Sequence, residues 1–289
     1  MAKIFLNNRF VSLKNAKVSI LDRGFLYGDG VFETMRAYNG QVFMAKDHIE
    51  RLLTSLERLK IKSPYNEKKL HVIIEKTLRR NRLKEAYVKL IVTRGVAPSG
   101  IDVIGRIKPS LCVFASPVRK IPRNIYKNGI KLTFAQTRKN EESPISGIKS
   151  LNYLDNILAR FQAKEGGFDE VMFLNTKGNV SEASTSNVFL VKNGVIVTPP
   201  KDAGLLPGVT RKTVIKIIKQ FFNNKIYEKN LKPKDLLRAD EVFLTNSILE
   251  IVPVVKLGRK RIASGRPGTF TRLLFVLYRM HAAQLNGGK

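Results

Sequence analysis

The sequence predicts an α+β fold in two parts: a small N-terminal α/β domain over residues 1–118, a linker over 119–129 and a larger C-terminal domain over 130–289. Three observations carry that prediction. Short strands joined by Asn-rich turns mix irregularly with helices instead of alternating in regular βα units. The stretch Pro117 to Asn128, with Pro122 and Asn124, breaks the hydrophobic periodicity near mid-chain. The chain has 289 residues with 43% hydrophobic side chains, enough for one large core or two modest ones without covalent staples.

The elements follow in order. Lys3 to Val11 reads as two short strands around Asn7-Asn8, and Val31 to Phe43 reads the same way around Asn39-Gly40. Asp47 reads as the N-cap of a helix in which Ile49, Leu52, Leu53, Leu56 and Leu59 recur at helical spacing. A second helix fits Glu67 to Asn81, and strands fit Ala86 to Thr93 and Ser110 to Phe114. Beyond the linker a strand fits Ile130 to Gln136, then a polar loop with Ser143-Pro144, then a helix from Leu151 to Lys164 ended by Gly166-Gly167. Strands fit Glu170 to Leu174, Asn187 to Val191 and Val195 to Thr198, the last two joined at Asn193-Gly194. Pro207-Gly208-Val209-Thr210 opens a helix to Phe222. Strands at Glu241 to Asn246 and Ile251 to Val255 precede a final helix from near Pro267 towards His281.

Composition excludes several classes. The one cysteine, Cys112, rules out an internal disulfide framework and a Cys-based zinc site. His48, His71 and His281 have no metal-ligand spacing, so no metal is expected. The apolar run Leu273 to Tyr278 is too short to cross a bilayer, and the N-terminus lacks the apolar core of a signal peptide, so the expected location is the cytoplasm, away from membranes. The 52 Lys and Arg against 23 Asp and Glu give a formal net charge of +29, divided as +14 over residues 1–120 and +15 over the rest. So even a spread reads as a solvated basic surface. Arg79-Arg80-Asn81-Arg82 and Arg259-Lys260-Arg261 are runs able to attract nucleic acid or acidic lipid, but no nucleic-acid motif accompanies them and no specific nucleic-acid partner is expected. An anionic small substrate benefits from the same field.

Common catalytic signatures are missing. There is no Gly-x-Gly-x-x-Gly after a strand, no phosphate-binding Gly-x-x-x-x-Gly-Lys-Ser/Thr and no Gly-x-Ser-x-Gly. What remains is a set of polar residues in apolar surroundings. Gly147 to Leu154 places Lys149 just before a helix; a lysine desolvated there has a lowered pKa and serves as a nucleophile or Schiff-base former, although in so lysine-rich a chain an ordinary surface lysine is the commoner reading. Tyr153, one helical turn on, faces the same pocket or fills the core. Glu182, in the polar run Ser181 to Asn187, can balance the positive charge of a ring nitrogen or simply serve a turn. Val209 and Thr210 at a helix start offer backbone N–H groups and a hydroxyl to an anion, or cap the helix. Thr245 and Asn246 at a strand end are similar. Arg51, on a helix, can fork onto a phosphate or lie on the surface.

Taken together, these segments resemble the fold-type IV enzymes that depend on pyridoxal phosphate. That family includes branched-chain aminotransferases, D-amino acid aminotransferases and 4-amino-4-deoxychorismate lyases. The resemblance covers nearly the whole chain: Tyr27 to Thr34, His48 to Arg51, Gly147 to Leu154, Ser181 to Phe189, Leu206 to Arg211, Thr245 to Pro253 and Ser264 to Thr271 occur in family order. It implies pyridoxal 5'-phosphate as cofactor and a homodimer acting on a small molecule. Lys149 resembles the lysine that binds the cofactor and moves the Cα proton. Glu182 resembles the carboxylate that keeps the pyridine nitrogen protonated. Arg51, Val209, Thr210 and Thr245 resemble phosphate anchors, and Tyr153 the tyrosine facing the phenolic oxygen.

Within that family the substrate residues diverge. Lys89 stands where branched-chain aminotransferases resemble Tyr-x-Arg, and the Pro98-Ser99-Gly100-Ile101 loop lacks the Arg and His of the D-amino acid enzymes. Phe32 replaces a tyrosine. Val31 to Thr34, Val88 to Gly95 and Thr245 to Ser247 lean towards the lyase, which is the leading expectation: release of pyruvate from 4-amino-4-deoxychorismate, leaving p-aminobenzoate. An aminotransferase acting on a branched-chain or D-amino acid is the alternative, and a basic nucleic-acid-binding protein on the same fold is a third. Phe32, Thr34, Lys89, Arg94, Arg138 and Asn246 are the candidate substrate contacts, with Lys89, Arg94 and Arg138 chosen on charge.

Overall fold

The computed structural model describes residues 2–63, 65–98, 100–103, 105–222 and 226–287. Ser99, in the 98–101 loop, lies outside them. The chain forms two compact units. One comprises Met1–Arg119, Ile148–Asn152 and Ala282–Lys289; the other comprises Lys120–Gly147 and Tyr153–His281.

The first unit is built on an antiparallel sheet. Its strands are β1 (Lys3–Leu6), β2 (Arg9–Ser12), β3 (Gly30–Tyr38), β4 (Gln41–Val42), β5 (Ala86–Thr93) and β6 (Ser110–Pro117), ordered β2-β1-β6-β5-β3-β4. Asn7, Asn39 and Gly40 all have positive φ, so both turns are made by the residues expected to make them. A short helix, α1 (Arg23–Tyr27), precedes β3 and is capped by Asp22, whose side chain accepts from Gly24 N–H. Helices α2 (Ala45–Arg58) and α3 (Glu67–Arg80) supply Ile49, Leu52, Leu56, Leu70, Ile74 and Leu78 to a core completed by Val31, Met35, Val88, Leu90, Leu111 and Val113 from the sheet. Strand periodicity then sorts the remaining side chains. Phe32, Thr34 and Arg36 of β3 lie opposite Ile91, Lys89 and Tyr87 of β5, and Lys89 lies opposite Phe114 of β6, so these share the other face.

The second unit is built on a mixed nine-stranded sheet. Its strands are β7 (Ile130–Phe134), β8 (Glu170–Leu174), β9 (Val180–Ala183), β10 (Asn187–Lys192), β11 (Val195–Thr198), β12 (Ile226–Glu228), β13 (Glu241–Asn246), β14 (Glu250–Leu257) and β15 (Lys260–Arg261). The order is β12-β11-β10-β13-β14-β7-β8-β9, with β15 beside β14. Helices α4 (Asn124–Asn128), α5 (Leu154–Glu165), α6 (Val209–Phe221), α7 (Pro233–Arg238) and the part of α8 (Thr269–Gly287) up to His281 complete it. Phe189 and Phe243 stack across β10 and β13 with centroids 5.0 Å apart.

Several sequence expectations are corrected. Asp47 is in the first turn of α2 and does not cap it: the N-cap is Met44, in the left-handed region at φ 53. The expected linker contains α4, held down because Tyr126 donates its hydroxyl to Leu249 O and packs with Ile125 on the second core. The helix expected from Leu151 starts at Leu154. The backbone before it is engaged elsewhere: Phe32 N–H donates to Lys149 O, Leu151 N–H donates to Gly30 O, and Ser150 bridges to Val31. No helical turn therefore links Lys149 to Tyr153, the N-cap of α5. The polar run 181–187 is not all loop, because Ser181, Glu182 and Ala183 belong to β9.

Candidate active site

In the first unit, Lys149 is positioned by backbone pairing to β3. Gly30 permits it: a Cβ there would lie 2.5 Å from Val92 O and 2.9 Å from Leu151 Cδ1. Lys149 is half-buried, and its Nζ lies 4.4 Å from the centre of the Phe32 ring. Lys89 Nζ lies 4.0 Å from the centre of the same ring. The two nitrogens are thus separated by no more than the sum of those distances. Lys89 has no carboxylate partner among the described residues, and burial lowers its pKa. Phe32, Thr34 and Lys89 are therefore brought onto one face beside Lys149, with Ile91 and Phe114 as apolar neighbours.

The opposite side of β3 carries a group that sequence reasoning missed. Glu33 is 1% exposed and accepts from Arg51 Nε at 2.8 Å, from Arg51 Nη2 at 2.6 Å and from His48 Nδ1 at 2.7 Å. Burial works to raise the Glu33 pKa, but the Arg51 charge and the His48 hydrogen bond outweigh it and hold the carboxyl at about 2. Burial pushes His48 below its ordinary range against the pull of Glu33. Arg51 is thereby fixed in orientation by a paired, desolvated carboxylate. The signal was present in the sequence as Glu33 in a β-strand and His48-x-x-Arg51 on one helix turn, but only the register brings them together.

Arg94 is committed differently from its expected role. It donates Nε and Nη2 to Asp29 at 2.7 and 3.1 Å, and Nη1 and Nη2 to the Lys60 and Leu59 carbonyls. It therefore tethers the end of β5 to the α1–β3 turn. Arg138 is exposed in a loop of the second unit and is not brought together with Lys89 and Lys149 within one unit.

In the second unit, Glu182, Val209, Thr210, Thr245 and Asn246 gather around the turn at 206–208. Leu206 N–H donates to Glu182 Oε2 at 3.0 Å, and Lys139 Nζ lies 3.9 Å from Oε1. Asn187 donates to Leu206 O at 2.9 Å and lies opposite Thr245 across β10 and β13. Gly208 caps α6 with no side-chain acceptor, and a Cβ on it would fall 2.0 Å from Asn187 Oδ1. Asn246 is engaged at the β13–β14 turn, donating to Ser186 and accepting from Ile248 and Leu249 N–H. The Thr245 hydroxyl is buried and bonds to no group among the described residues. A buried, unmatched hydroxyl beside a helix N-terminus without a side-chain acceptor is chemistry suited to a phosphate group. The half-buried Glu182 carboxylate is suited to a protonated ring nitrogen. The residues present therefore fit pyridoxal phosphate. No group of three or more metal-ligating side chains occurs among the described residues, and none of their helices is long and apolar enough to cross a membrane.

Comparison with known proteins identifies the family. Residues 30–257 match the family model for amino-transferase class IV. A Methanocaldococcus jannaschii protein named "Putative branched-chain-amino-acid aminotransferase" is 42% identical over 94% of this chain and 93% of its own length. A D-alanine aminotransferase of Listeria monocytogenes is 35% identical over 94% and 93%. Among solved structures, the T.th. branched-chain amino acid aminotransferase with pyridoxamine 5'-phosphate superposes with a TM-score of 0.93 at 27% identity, covering 98% of this chain and 94% of that one. A "Putative 4-amino-4-deoxychorismate lyase" of Legionella pneumophila gives a TM-score of 0.83 at 29% identity, covering 91% and 95%.

Proposed function

The chain belongs to the class IV aminotransferase family, whose enzymes use pyridoxal phosphate, and we propose that it moves the amino group of a branched-chain amino acid to a 2-oxo acid. The observation that carries the choice is the sheet face beside Lys149, where Phe32, Ile91 and Phe114 offer an apolar wall and Lys89 a cation without a carboxylate partner among the described residues. An aliphatic side chain suits the wall, and a substrate carboxylate suits the cation. The similarity to the M. jannaschii protein supports the same reading.

Arg51, Val209, Thr210 and Thr245 would hold the cofactor's phosphate, Tyr153 its phenolic oxygen and Glu182 its ring nitrogen. When bound, the cofactor supplies an electron sink for charge developing at the substrate's Cα. With the cofactor bound, Lys149 Nζ would take the Cα proton and return it two bonds away, a 1,3-proton shift, after which water would release the donor as a 2-oxo acid and leave its amino group for the acceptor. The acceptor retraces the path in reverse, and no external oxidant enters. Glu182 would face the ring nitrogen and favour its protonated form. Lys89 orients the carboxylate, and burial of its amine strengthens the pairing. The expected homodimer is supported by Leu154, Ile157, Leu158 and Phe161, an apolar stripe on α5 with exposures of 65, 48, 52 and 64%.

Two other reactions remain distinct outcomes of one assay. The lyase, expected from three sequence segments, has a structural parallel in the Legionella protein, and Thr34 beside Lys89 would be its proton relay. A D-amino acid donor is suggested by the Listeria relatives. The test is turnover on leucine, valine and isoleucine with 2-oxoglutarate, on D-alanine with 2-oxoglutarate, and on 4-amino-4-deoxychorismate. Branched 2-oxo acid formation supports the proposal. Transamination confined to D-alanine, or pyruvate release from 4-amino-4-deoxychorismate without transamination, refutes it.

A further inference from the structure

A groove of about 980 Å3 in the first unit gathers five cations that meet no carboxylate among the described residues. It runs between β2 and the outer side of α3. Arg9 comes from β2, and Lys69, Lys76, Arg79 and Arg80 come from α3, all exposed. Several arginines elsewhere are matched, as Arg51 is to Glu33, Arg94 to Asp29, Arg211 to Glu228 and Arg279 to Glu250. Helix stability does not account for the cluster. Arg79 and Arg80 occupy the last turn of α3, where positive charge meets the helix's negative end, but Arg9, Lys69 and Lys76 do not. Lys76 also stands three and four residues before Arg79 and Arg80, a spacing at which like charges destabilise a helix.

The groove also presents an oriented planar group. The Arg80 guanidinium lies 4.4 Å from the centre of the Phe10 ring, and Phe10 is in turn held edge-on by Phe5 at 5.2 Å. A guanidinium stacked on one side offers its other side to a flat partner. From Lys69 to Arg80 the cations extend along about 16 Å of helix, at the usual rise per residue. That length suits a row of phosphates more than a single one. A lipid surface is flat, whereas this row is concave and carries an aromatic floor.

We propose that this groove binds a single strand of nucleic acid without regard to sequence, its phosphates on Arg9, Lys69, Lys76 and Arg79 and a base stacked on Arg80. The interaction is separate from the chemistry of the active site and shares no residue with it. It also differs from the solvated basic surface expected from composition, because it is local.

The experiment is fluorescence anisotropy of a labelled oligouridylate with the full, pyridoxal-phosphate-loaded chain, repeated across salt concentrations. One variant removes groove charge (K76Q, R79Q, R80Q), and a second removes as much charge from exposed lysines elsewhere (K219Q, K234Q, K260Q). The groove variant is expected to bind about 10-fold more weakly or worse, with a log–log salt slope shallower by roughly 2, and the control within about 3-fold of the parent. R80K, which keeps the charge and loses the stacked plane, is expected to lose about 5-fold or more. Circular dichroism matching the parent establishes that each variant is folded. Equal losses in the two charge variants would show that net charge alone is responsible and would overturn the proposal. So would absence of binding at low salt. Anionic phospholipid vesicles that bind through the groove residues while the oligonucleotide does not would assign the site to a membrane instead.

Discussion

At the level of single side chains, the proposed site separates groups that would touch substrate from groups that hold them. Lys89 is proposed as one of the first kind. K89M should raise KM for the carboxylate-bearing acceptor by about 10- to 100-fold, the equivalent of one charge-assisted hydrogen bond, with kcat much less affected. K89R should recover most of the loss, and an unchanged KM in K89M would remove Lys89 from the substrate site. Glu33 belongs to the second kind. E33Q leaves Arg51 and His48 without their shared carboxylate, so it should cost about 3 to 5 kcal/mol in urea unfolding and weaken cofactor retention as Arg51 loses its fixed orientation. Retention equal to the parent's in a folded E33Q would separate Glu33 from the phosphate site. Glu182→Ala should reduce turnover far more than cofactor retention, measured by kinetics beside equilibrium dialysis. Equal loss of both would argue against its role at the ring nitrogen. Lys149, Glu182, Arg51 and Thr245 could be proposed from the sequence because their flanking residues keep the order of a known family. Glu33 was not, because its partners are 15 and 18 residues away and meet it only through the register of β3 against α2.

Secondary-structure elements show where the reading of sequence succeeds. Turns were legible at Asn7, Asn39-Gly40 and Asn193-Gly194, where Asn or Gly takes positive φ. Long amphipathic helices such as α2, α3 and α6 were legible from their spacing. Three features escaped for a common reason: tertiary partners override local preference. Residues 148–152 give their hydrogen bonds to β3 instead of to α5. The 124–128 stretch becomes helical where Tyr126 finds Leu249. Ser181 to Ala183 pairs with β8 although its residues are polar. The N-terminus of α6 supplies a test at this scale. G208A would drive a methyl group into Asn187, so it should lower cofactor affinity by about 10-fold while moving stability by about 1 to 3 kcal/mol, seen by dialysis and urea titration. Unchanged affinity would mean that this turn does not cradle the phosphate. The exposed stripe of α5 supplies another. L158E with F161E should convert a dimer into a monomer in sedimentation velocity, and a monomeric parent would show that the stripe is not a self-association surface.

Across the whole molecule, the buried ionisable groups set the response to acid. The Glu33 carboxyl is held at about 2 against an ordinary 4.5, so the unfolded chain takes up its proton first. Its stabilisation is complete above pH 4.5 and drains away as pH falls towards 2, an effect of about 3 kcal/mol. His48, depressed below its ordinary 6.5, adds a further loss that begins as pH falls below that value, because the unfolded imidazole protonates before the buried one. Urea midpoints from pH 7 downwards should fall accordingly, and a flat profile would contradict the paired Glu33. The α+β class was legible from the mixture of hairpins and helices, and the cofactor from ordered motifs spanning the chain. The choice between lyase and aminotransferase was not, since it turns on which side chains the sheet face sets beside Lys149. The most direct measurement is therefore the visible absorption of the chain loaded with pyridoxal phosphate, before and after leucine is added. A visible band that bleaches as 4-methyl-2-oxopentanoate appears, returns with 2-oxoglutarate and is absent from K149A is the predicted result. A band indifferent to leucine, or one present in K149A, would contradict the assignment of Lys149 to amino-group transfer from a branched-chain donor.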